Sequence, residues 1–355
     1  MKRNLLAIAI PALLVAGAAN ASIEVWNKDG NKLNINGRVK AVNHITDRDN
    51  KIDGEGDKTE ARLGFTGETQ ITDSVSGYGR AEWNTKANGG SVETRYAFVG
   101  LNFGDIGSID YGKNDGIVKA ITSYTDVLPE FGGDASGKQY LLSERTSGVV
   151  TYRNSNLFGL VDGFDFALQY ADGKSSGKYG LNEDDNGIVS WKETDARIQE
   201  AYGANFDYKI LDTGLSFAGA YAQARGGDDR TWGAGLKYDA NDLYVAAIYV
   251  DGRNKLIDEE DNESYKLKYR GFEVVAQYGL DFEVGRLTPS IAYVQHKAKV
   301  DESFDLVKYI EVGASYDFSK NITAIVDYKI NLLDEDDFGK ANTKDTVGLG
   351  LIYQF

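Results

Sequence analysis

The chain has 355 residues, a formal net charge of −15, 41 glycines, 22 tyrosines, three prolines, two histidines and no cysteine. That acidity argues against a nucleic-acid-binding role, which needs a basic footprint. Without disulfides the fold must be held by burial or by backbone pairing, and a glycine- and aromatic-rich, proline-poor chain suits many pleated strands with tight turns.

The N-terminus reads as a leader. Lys2 and Arg3 precede an apolar run from Leu5 to Val15, and Ala19-Asn20-Ala21 is a small-polar-small cleavage site. The run is too short to span a membrane and ends in a cleavage motif, so residues 1–21 are expected to be a secretory signal peptide and residues 22–355 the mature domain. Losing Lys2 and Arg3 takes the mature charge from −15 to −17. No mature segment approaches ~18 consecutive apolar residues, which leaves a secreted soluble protein or a membrane β-barrel.

Period-two alternation separates the two. Early in the chain Leu33, Ile35 and Val39 alternate with Asn34, Asn36, Arg38 and Lys40. In the middle Leu215, Phe217 and Tyr221 alternate with Ser216, Ala218 and Ala222. Near the end Ile322, Ala324, Val326, Tyr328 and Ile330 share a face opposite Thr323, Asp327 and Lys329. At the terminus Val347, Leu349, Leu351, Tyr353 and Phe355 lie opposite Thr346, Gly348, Gly350, Ile352 and Gln354. Strands are predicted at 32–45, 59–70, 76–85, 94–102, 107–113, 145–154, 164–171, 200–210, 214–224, 231–239, 242–251, 265–280, 287–298, 306–319, 322–333 and 344–355.

These are sixteen, an even number, and their connections alternate in length. Thr72-Asp73, Gly104-Asp105, Asp212-Thr213, Ala240-Asn241 and Lys320-Asn321 read as tight turns, whereas 46–58, 172–199, 252–264 and 334–343 read as longer charged loops. Short turns on one side, long loops on the other and an ionic or amide-rich second face predict an all-β, 16-stranded antiparallel transmembrane barrel with a wet lumen. Closure removes the unpaired edge, and sixteen strands leave an aqueous channel. There is no second domain and no internal repeat longer than the hairpin.

One connection stands out. Residues 114–144 are long for a compact domain, and structureless loops of that length are usually functional or disordered. Val127, Leu128, Pro129 and Phe131 beside Asp126, Glu130 and Asp134 argue for a packed loop that presents acids. Two carboxylates four apart could also serve glycosidase chemistry, or could simply be solvated. His44 and His296 are the only histidines, and neither accompanies a convincing serine motif for an enzyme on a barrel. The acidic runs 182–186 and 258–263 lack the spacing of a calcium loop and read as solvated loop acids.

The words along the chain resemble the trimeric general diffusion porins of enteric bacteria, the matrix-porin and osmoporin group. They include Asn27-Lys-Asp-Gly-Asn-Lys32, Ala61-Arg-Leu-Gly-Phe65, Thr125-Asp-Val-Leu-Pro-Glu-Phe-Gly-Gly-Asp134, Thr151-Tyr-Arg-Asn154, Gly235-Leu-Lys-Tyr-Asp-Ala240, Val326-Asp-Tyr-Lys-Ile-Asn331 and Ile352-Tyr-Gln-Phe355. Their order and spacing carry the resemblance, not any single word. It implies an outer-membrane homotrimer for passive diffusion of small hydrophilic solutes and ions, with lipid and lipopolysaccharide as surroundings and with no cofactor or metal. It implies a third external loop folded into each lumen. Asp126 and Glu130 then become constriction acids facing Arg38, Arg62, Arg95 and Arg145 on the wall. Strand parity agrees for Arg38, Arg62 and Arg145, each opposite apolar neighbours, although strand acids such as Glu60 and Glu68 could also hold the arginines as ion-pair partners.

The chain departs from these relatives at Lys119, where tyrosine is common, at Ala120, where aspartate is common, and at Glu93, a wall position that is lysine in some. The second external loop, Lys86 to Glu93, is also short for a segment that latches the trimer in the family. Lys119 and Ala120 are expected to weaken cation preference, with Glu93 offsetting part of the change. Phe355 resembles the terminal signal read by the outer-membrane insertion machinery.

Overall fold

The structure, a computed structural model, describes residues 22–137, 140–173, 177–183, 189–197, 200–257, 264–299 and 302–355. The leader expected at 1–21 and the acidic run 258–263 lie outside these residues, as does most of the run 182–186.

Sixteen long strands form one antiparallel sheet. They are β1 (Asn31–Ile45), β2 (Glu60–Thr72), β3 (Val75–Lys86), β4 (Glu93–Asn102), β5 (Ser108–Asp115), β6 (Arg145–Asn154), β7 (Phe164–Ala171) and β8 (Ala201–Lys209). They continue with β9 (Leu215–Ala224), β10 (Arg230–Ala240), β11 (Leu243–Ile257), β12 (Ser264–Tyr278), β13 (Arg286–Lys299), β14 (Ser303–Ser319), β15 (Ile322–Asn331) and β16 (Thr346–Gln354). Each pairs with the next, and the sheet closes because β1 has neighbours on both sides: Arg38 stands opposite Arg62 of β2 and opposite Gln354 of β16. Among the described residues no helix is long and apolar enough to cross a membrane.

The chain ends share one strand position. The segment Ser22–Lys28 pairs with the first part of β1, in line with β16, which pairs with the rest. Gly37 and Phe355 exchange two backbone hydrogen bonds of 2.8 and 2.9 Å, and a Cβ on Gly37 would sit 2.7 Å from the Phe355 ring. Two further short pieces, Gly56–Asp57 and Leu280–Asp281, extend the ladder beside β1 and β13.

The observed strands follow the predicted ones closely, and β6 and β7 have the same ends. The largest difference is β11, which runs on to Ile257 where the sequence predicts an end at 251. Asp251, Arg253 and Lys255 interrupt the apolar alternation, but their backbones continue the ladder with β12. Region 172–199, expected as loop, contains the hairpin Gly177–Glu183 and Val189–Arg197, with Leu181 opposite Trp191. Among the tight turns, Asn241 and Asp242 join β10 to β11 with φ of 55° and 63°. Positive φ at both central residues matches the twist of a two-residue hairpin.

The alternation sorts the two faces. Leu351 is 55% exposed on the outside, and Asp327 is fully buried although its neighbours Val326 and Tyr328 are exposed. The main apolar cluster is not a sandwich core. It lies between the connection 116–144 and one side of the inner wall, with Ile117, Val118, Ile121, Tyr124, Tyr140, Leu141 and Leu142 packed against that wall. Ala218, Ala220, Ala222 and Ala224, with Ser216, are the inward residues of β9, and their small side chains leave room for it.

Candidate functional site

The connection begins with a helical turn, α1 (Lys119–Thr122), and is bonded to the wall at nearly every step. The Ile117 N–H donates to Gln169 on β7 (2.9 Å), and the Asn205 amide on β8 donates to the Ile117 carbonyl (2.8 Å). The Tyr124 hydroxyl donates to Asp207 on β8 (2.7 Å), while Tyr244 on β11 and Gln277 on β12 donate to the Tyr124 and Val127 carbonyls. The tip is held more tightly. Both the Glu130 and Phe131 N–H groups donate to Asp327 on β15 (2.9 and 3.0 Å), the Gly132 N–H to Tyr309 on β14 (2.8 Å) and the Gly133 N–H to Glu273 on β12 (2.9 Å). Tyr309 in turn donates to Asp134 (2.8 Å). On the return leg the Leu141 N–H donates to Thr231 on β10 (2.9 Å), and the Tyr140 ring packs edge-on to Tyr269 with His296 beside it.

These partners point inward. Gln169 is buried between exposed Leu168 and Tyr170, Glu273 beside exposed Phe272, and Thr231 beside exposed Trp232. A segment bonded to inward side chains from β7 round to β15 lies within the bore. The approach is closest at Gly271, where a Cβ would come 1.6 Å from the Ala135 carbonyl oxygen. No side chain larger than hydrogen fits there.

The arginines project from the other part of the wall. Arg38 is on β1, Arg62 on β2, Arg95 on β4 and Arg145 on β6, and all four line an internal cavity of roughly 1900 Å³ together with Asp126, Glu130 and Lys119. Arg80 on β3 belongs to the same row. Two carboxylates organise it. Glu60 accepts from Arg38 at 2.6 Å and lies 3.5 Å from Arg62. Glu82, buried, holds Arg80 at 2.6 Å and Arg95 at 2.7 Å and lies 3.6 Å from Arg62. Arg145 is 3.9 Å from Asp115, and its guanidinium and that of Arg80 stand over the Tyr96 ring at 5.2 and 3.9 Å. Packing against a ring face adds to the ion pairs and fixes the planes of both guanidinium groups.

Neither loop acid pairs with an arginine. Glu130 is pinned by Lys40 (2.5 Å) and by His44 Nε2 (2.8 Å), both on β1. Burial alone would raise the Glu130 carboxyl, but the His44 hydrogen bond and the Lys40 charge outweigh it and hold the group below its usual range. Asp126 is the more open acid, with 58% of its side chain exposed, and its partner is Lys119 at 3.5 Å. Burial would depress the Lys119 ammonium, yet the carboxylates of Asp126, Glu144 and Asp115 more than compensate and hold it above its usual range. Glu93 is exposed at the start of β4 and does not line the cavity, and neither does Glu68.

Arg80 and Glu82 were missed although parity was available: they alternate with Ala81 on a predicted strand. His44 and His296, which no motif singles out, both contact the connection, His44 through Glu130 and His296 through Tyr140. No sequence signal marks either contact. Among the described residues no group of three or more His, Cys, Asp or Glu side chains is arranged to hold a metal ion.

The Gram-negative porin family model matches residues 28–355. Outer membrane porin C of Enterobacter cloacae is 44% identical over 378 residues, and outer membrane porin N of Escherichia coli is 43% identical over 393, each covering 100% of both chains. Among solved structures, Salmonella typhi OmpF, in a complex with daunomycin, superposes with a TM-score of 0.75 at 35% identity over 94% of this chain and 100% of its own. OmpT of Vibrio cholerae, lacking its loop L8, shares the fold at a TM-score of 0.66 and 16% identity, over 92% of this chain and 100% of its own.

Proposed function

The chain belongs to the Gram-negative porin family, and from that premise we propose that its pore is narrowed between the connection carrying Asp126 and Glu130 and the wall carrying Arg38, Arg62, Arg80, Arg95 and Arg145. The protein is an outer-membrane channel for passive diffusion of small hydrophilic solutes, and it is not an enzyme. The observation that supports this location of the narrowing is the string of hydrogen bonds from the connection to inward side chains of β7 to β15, the arginine row lying on β1 to β6.

In such a gap fixed charges of both signs produce a field across the path. A polar solute can align its dipole and exchange water for wall contacts, whereas an apolar solute must strip ordered water and is slowed. Charged rings of this type also tune ion preference. No step requires energy input.

The functional unit in this reading is a homotrimer, matured by cleavage after Ala21, with its outer rim among lipopolysaccharide. Planar-bilayer recording of the purified protein tests the whole reading. Conductance that closes in three equal steps is expected. Silence, or a single pore that saturates with one sugar, would count against it. Replacing Arg62 and Arg95 together by alanine should raise single-channel conductance, and an unchanged value would remove the arginine row from the constriction.

A further inference from the structure

Resting on the pore reading above, we propose that Asp53, in the connection between β1 and β2, is a positioning residue for the pore. Through Lys329 and His44 it holds Glu130 and Phe131, the tip of the in-folded connection, where they set the narrowing.

Connections that follow odd-numbered strands share one end of an antiparallel barrel, so 46–59, 116–144 and 332–345 emerge together. At that end Asp53 is the centre of a closed set of contacts. One carboxylate oxygen pairs with the Lys329 ammonium of β15 at 2.7 Å, and the other accepts from the Thr346 hydroxyl of β16 at 2.9 Å. The Asp53 and Lys329 side chains are 8% and 9% exposed, and among the described residues Asp53 is the ion-pair partner of Lys329. The Asp53 backbone is fixed as well. Asn50, itself buried, accepts from the Ile52 and Asp53 N–H groups at 3.0 Å each. The Lys51 N–H donates to Asn342 (2.8 Å) and the Thr46 hydroxyl to the Asp345 carbonyl (2.8 Å), which ties the first connection to the last.

Two side chains reach from this set to the tip. The Lys329 ammonium stands over the Tyr309 ring at 4.7 Å and over the Phe131 ring at 5.7 Å. His44 of β1 places Nε2 2.8 Å from Glu130, Nδ1 3.4 Å from the Asp53 carbonyl oxygen, and its ring 5.2 Å from that of Phe131. Asp327 and Tyr309 bond the backbone of the tip and fix its path along the wall. Lys329 and His44 fix the two side chains, Glu130 and Phe131, that line the cavity. Asp53, His44 and Lys329 do not line it, so they act on a passing solute only through that tip. A clasp that merely joined the first and last connections would need no contact with Phe131 or Glu130.

Burial gives Asp53 its weight. An ammonium withdrawn from water is costly to keep once its carboxylate is removed. Without Asp53 the long Lys329 side chain turns toward water and leaves the faces of Tyr309 and Phe131, and the tip gains room to rock.

The test is the steadiness of the open current of the purified protein in planar bilayers, with the midpoint of denaturant unfolding recorded beside it. Asp53→Ala should make brief partial changes of the open current about 10-fold more frequent, the weight of one hydrogen bond to a charged group. Lys329→Met should do the same, and the double variant should do no more than either alone, because both changes remove one interaction. Glu200→Ala, which breaks the exposed pair with Arg225 at the same end, should leave the current quiet. A lower unfolding midpoint with a quiet open channel in Asp53→Ala would make Asp53 a clasp only and overturn the proposal. Equal unrest in Glu200→Ala would mean general loosening of that end and would overturn it too, as would additive effects in the double variant. If Asp53→Ala does not assemble, Asp53→Asn keeps the size and removes the charge, and a quiet channel there is equally adverse. Absence of conductance in the unaltered protein would instead strike the pore reading itself.

Discussion

The inner wall of β7 to β15 and the inner wall of β1 to β6 use the same alternation for opposite ends. On the first, buried acceptors such as Asp327 and Glu273 receive backbone N–H groups of the connection, and alanines and glycines leave it room. On the second, arginines from five strands face the cavity and are held by Glu60, Glu82 and Asp115 and by the Tyr96 ring. Carboxylates on the first wall position a polypeptide. Carboxylates on the second position side chains. An inward charge in a barrel therefore carries no role by parity alone, and its role comes from what the lumen places in front of it.

Changes on either wall should separate these roles. The largest effect is expected from Glu82→Gln. It leaves Arg62, Arg80 and Arg95 without their shared carboxylate, and breaking such a buried group costs about 3 kcal/mol or more, discounted somewhat by the water-filled cavity. The midpoint of denaturant unfolding in detergent should fall clearly, while the loop bonds on the far wall persist. Equal stability would show that the arginine row is held by other means.

Next is Gly271→Ala. The added methyl meets the Ala135 carbonyl, so the return leg of the connection must move, at about 1–3 kcal/mol for overpacking. Here the sharper readout is electrical: a displaced loop should make single-channel conductance larger or noisier. An unaltered, quiet channel would mean that the close approach is not required for the eyelet.

Tyr309→Phe is smaller. It removes the hydroxyl that accepts from Gly132 and donates to Asp134, and one such bond contributes about 1 kcal/mol. A modest loss of stability with little change in ion preference is expected, because no constriction charge is altered. A shift of reversal potential as large as that from a charge change would blur the distinction between the two walls.

The smallest effect concerns pH. The Glu130 carboxyl is held below its usual range, so its pairing with Lys40 and His44 stabilises the fold above the unfolded value near ~4.3. That contribution is lost as pH falls through the lower folded value. The stability difference between the unaltered protein and Glu130→Gln should be present at pH 6 to 7 and should vanish at strongly acid pH. A difference that grows on acidification would reverse the sign and refute the pairing.

Local rules on the chain were enough for much of the architecture. Sixteen strands, the closure and the outward apolar face follow from residues two apart, because in lipid every backbone group must pair and every outward side chain must be apolar. The length and composition of 114–144 marked it as a packed segment, and the resemblance supplied a lumen for it to enter. The arginines Arg38, Arg62 and Arg145 were legible by parity, and Arg80 and Glu82 could have been by the same rule, whereas Arg95 shares its parity with outward Ala97, Val99 and Leu101 and lines the cavity only because the β3–β4 register shifts between Glu82 and Trp83.

Tertiary structure alone decided which charges meet. Glu130 finds Lys40 and His44 some 86 to 90 residues away in sequence, and Asp327 receives the loop tip from nearly 200 residues away. Glu93, adjacent in sequence to the arginine row, contributes nothing to the cavity lining. Alternation says that a side chain faces the lumen, but it contains no information about height in the bore or about the segment across the gap. Those are set when the sheet closes and the connection packs against one wall, which is why the wall acids, Gly271 and the Lys119–Asp126 pair acquire their meaning only in the folded barrel.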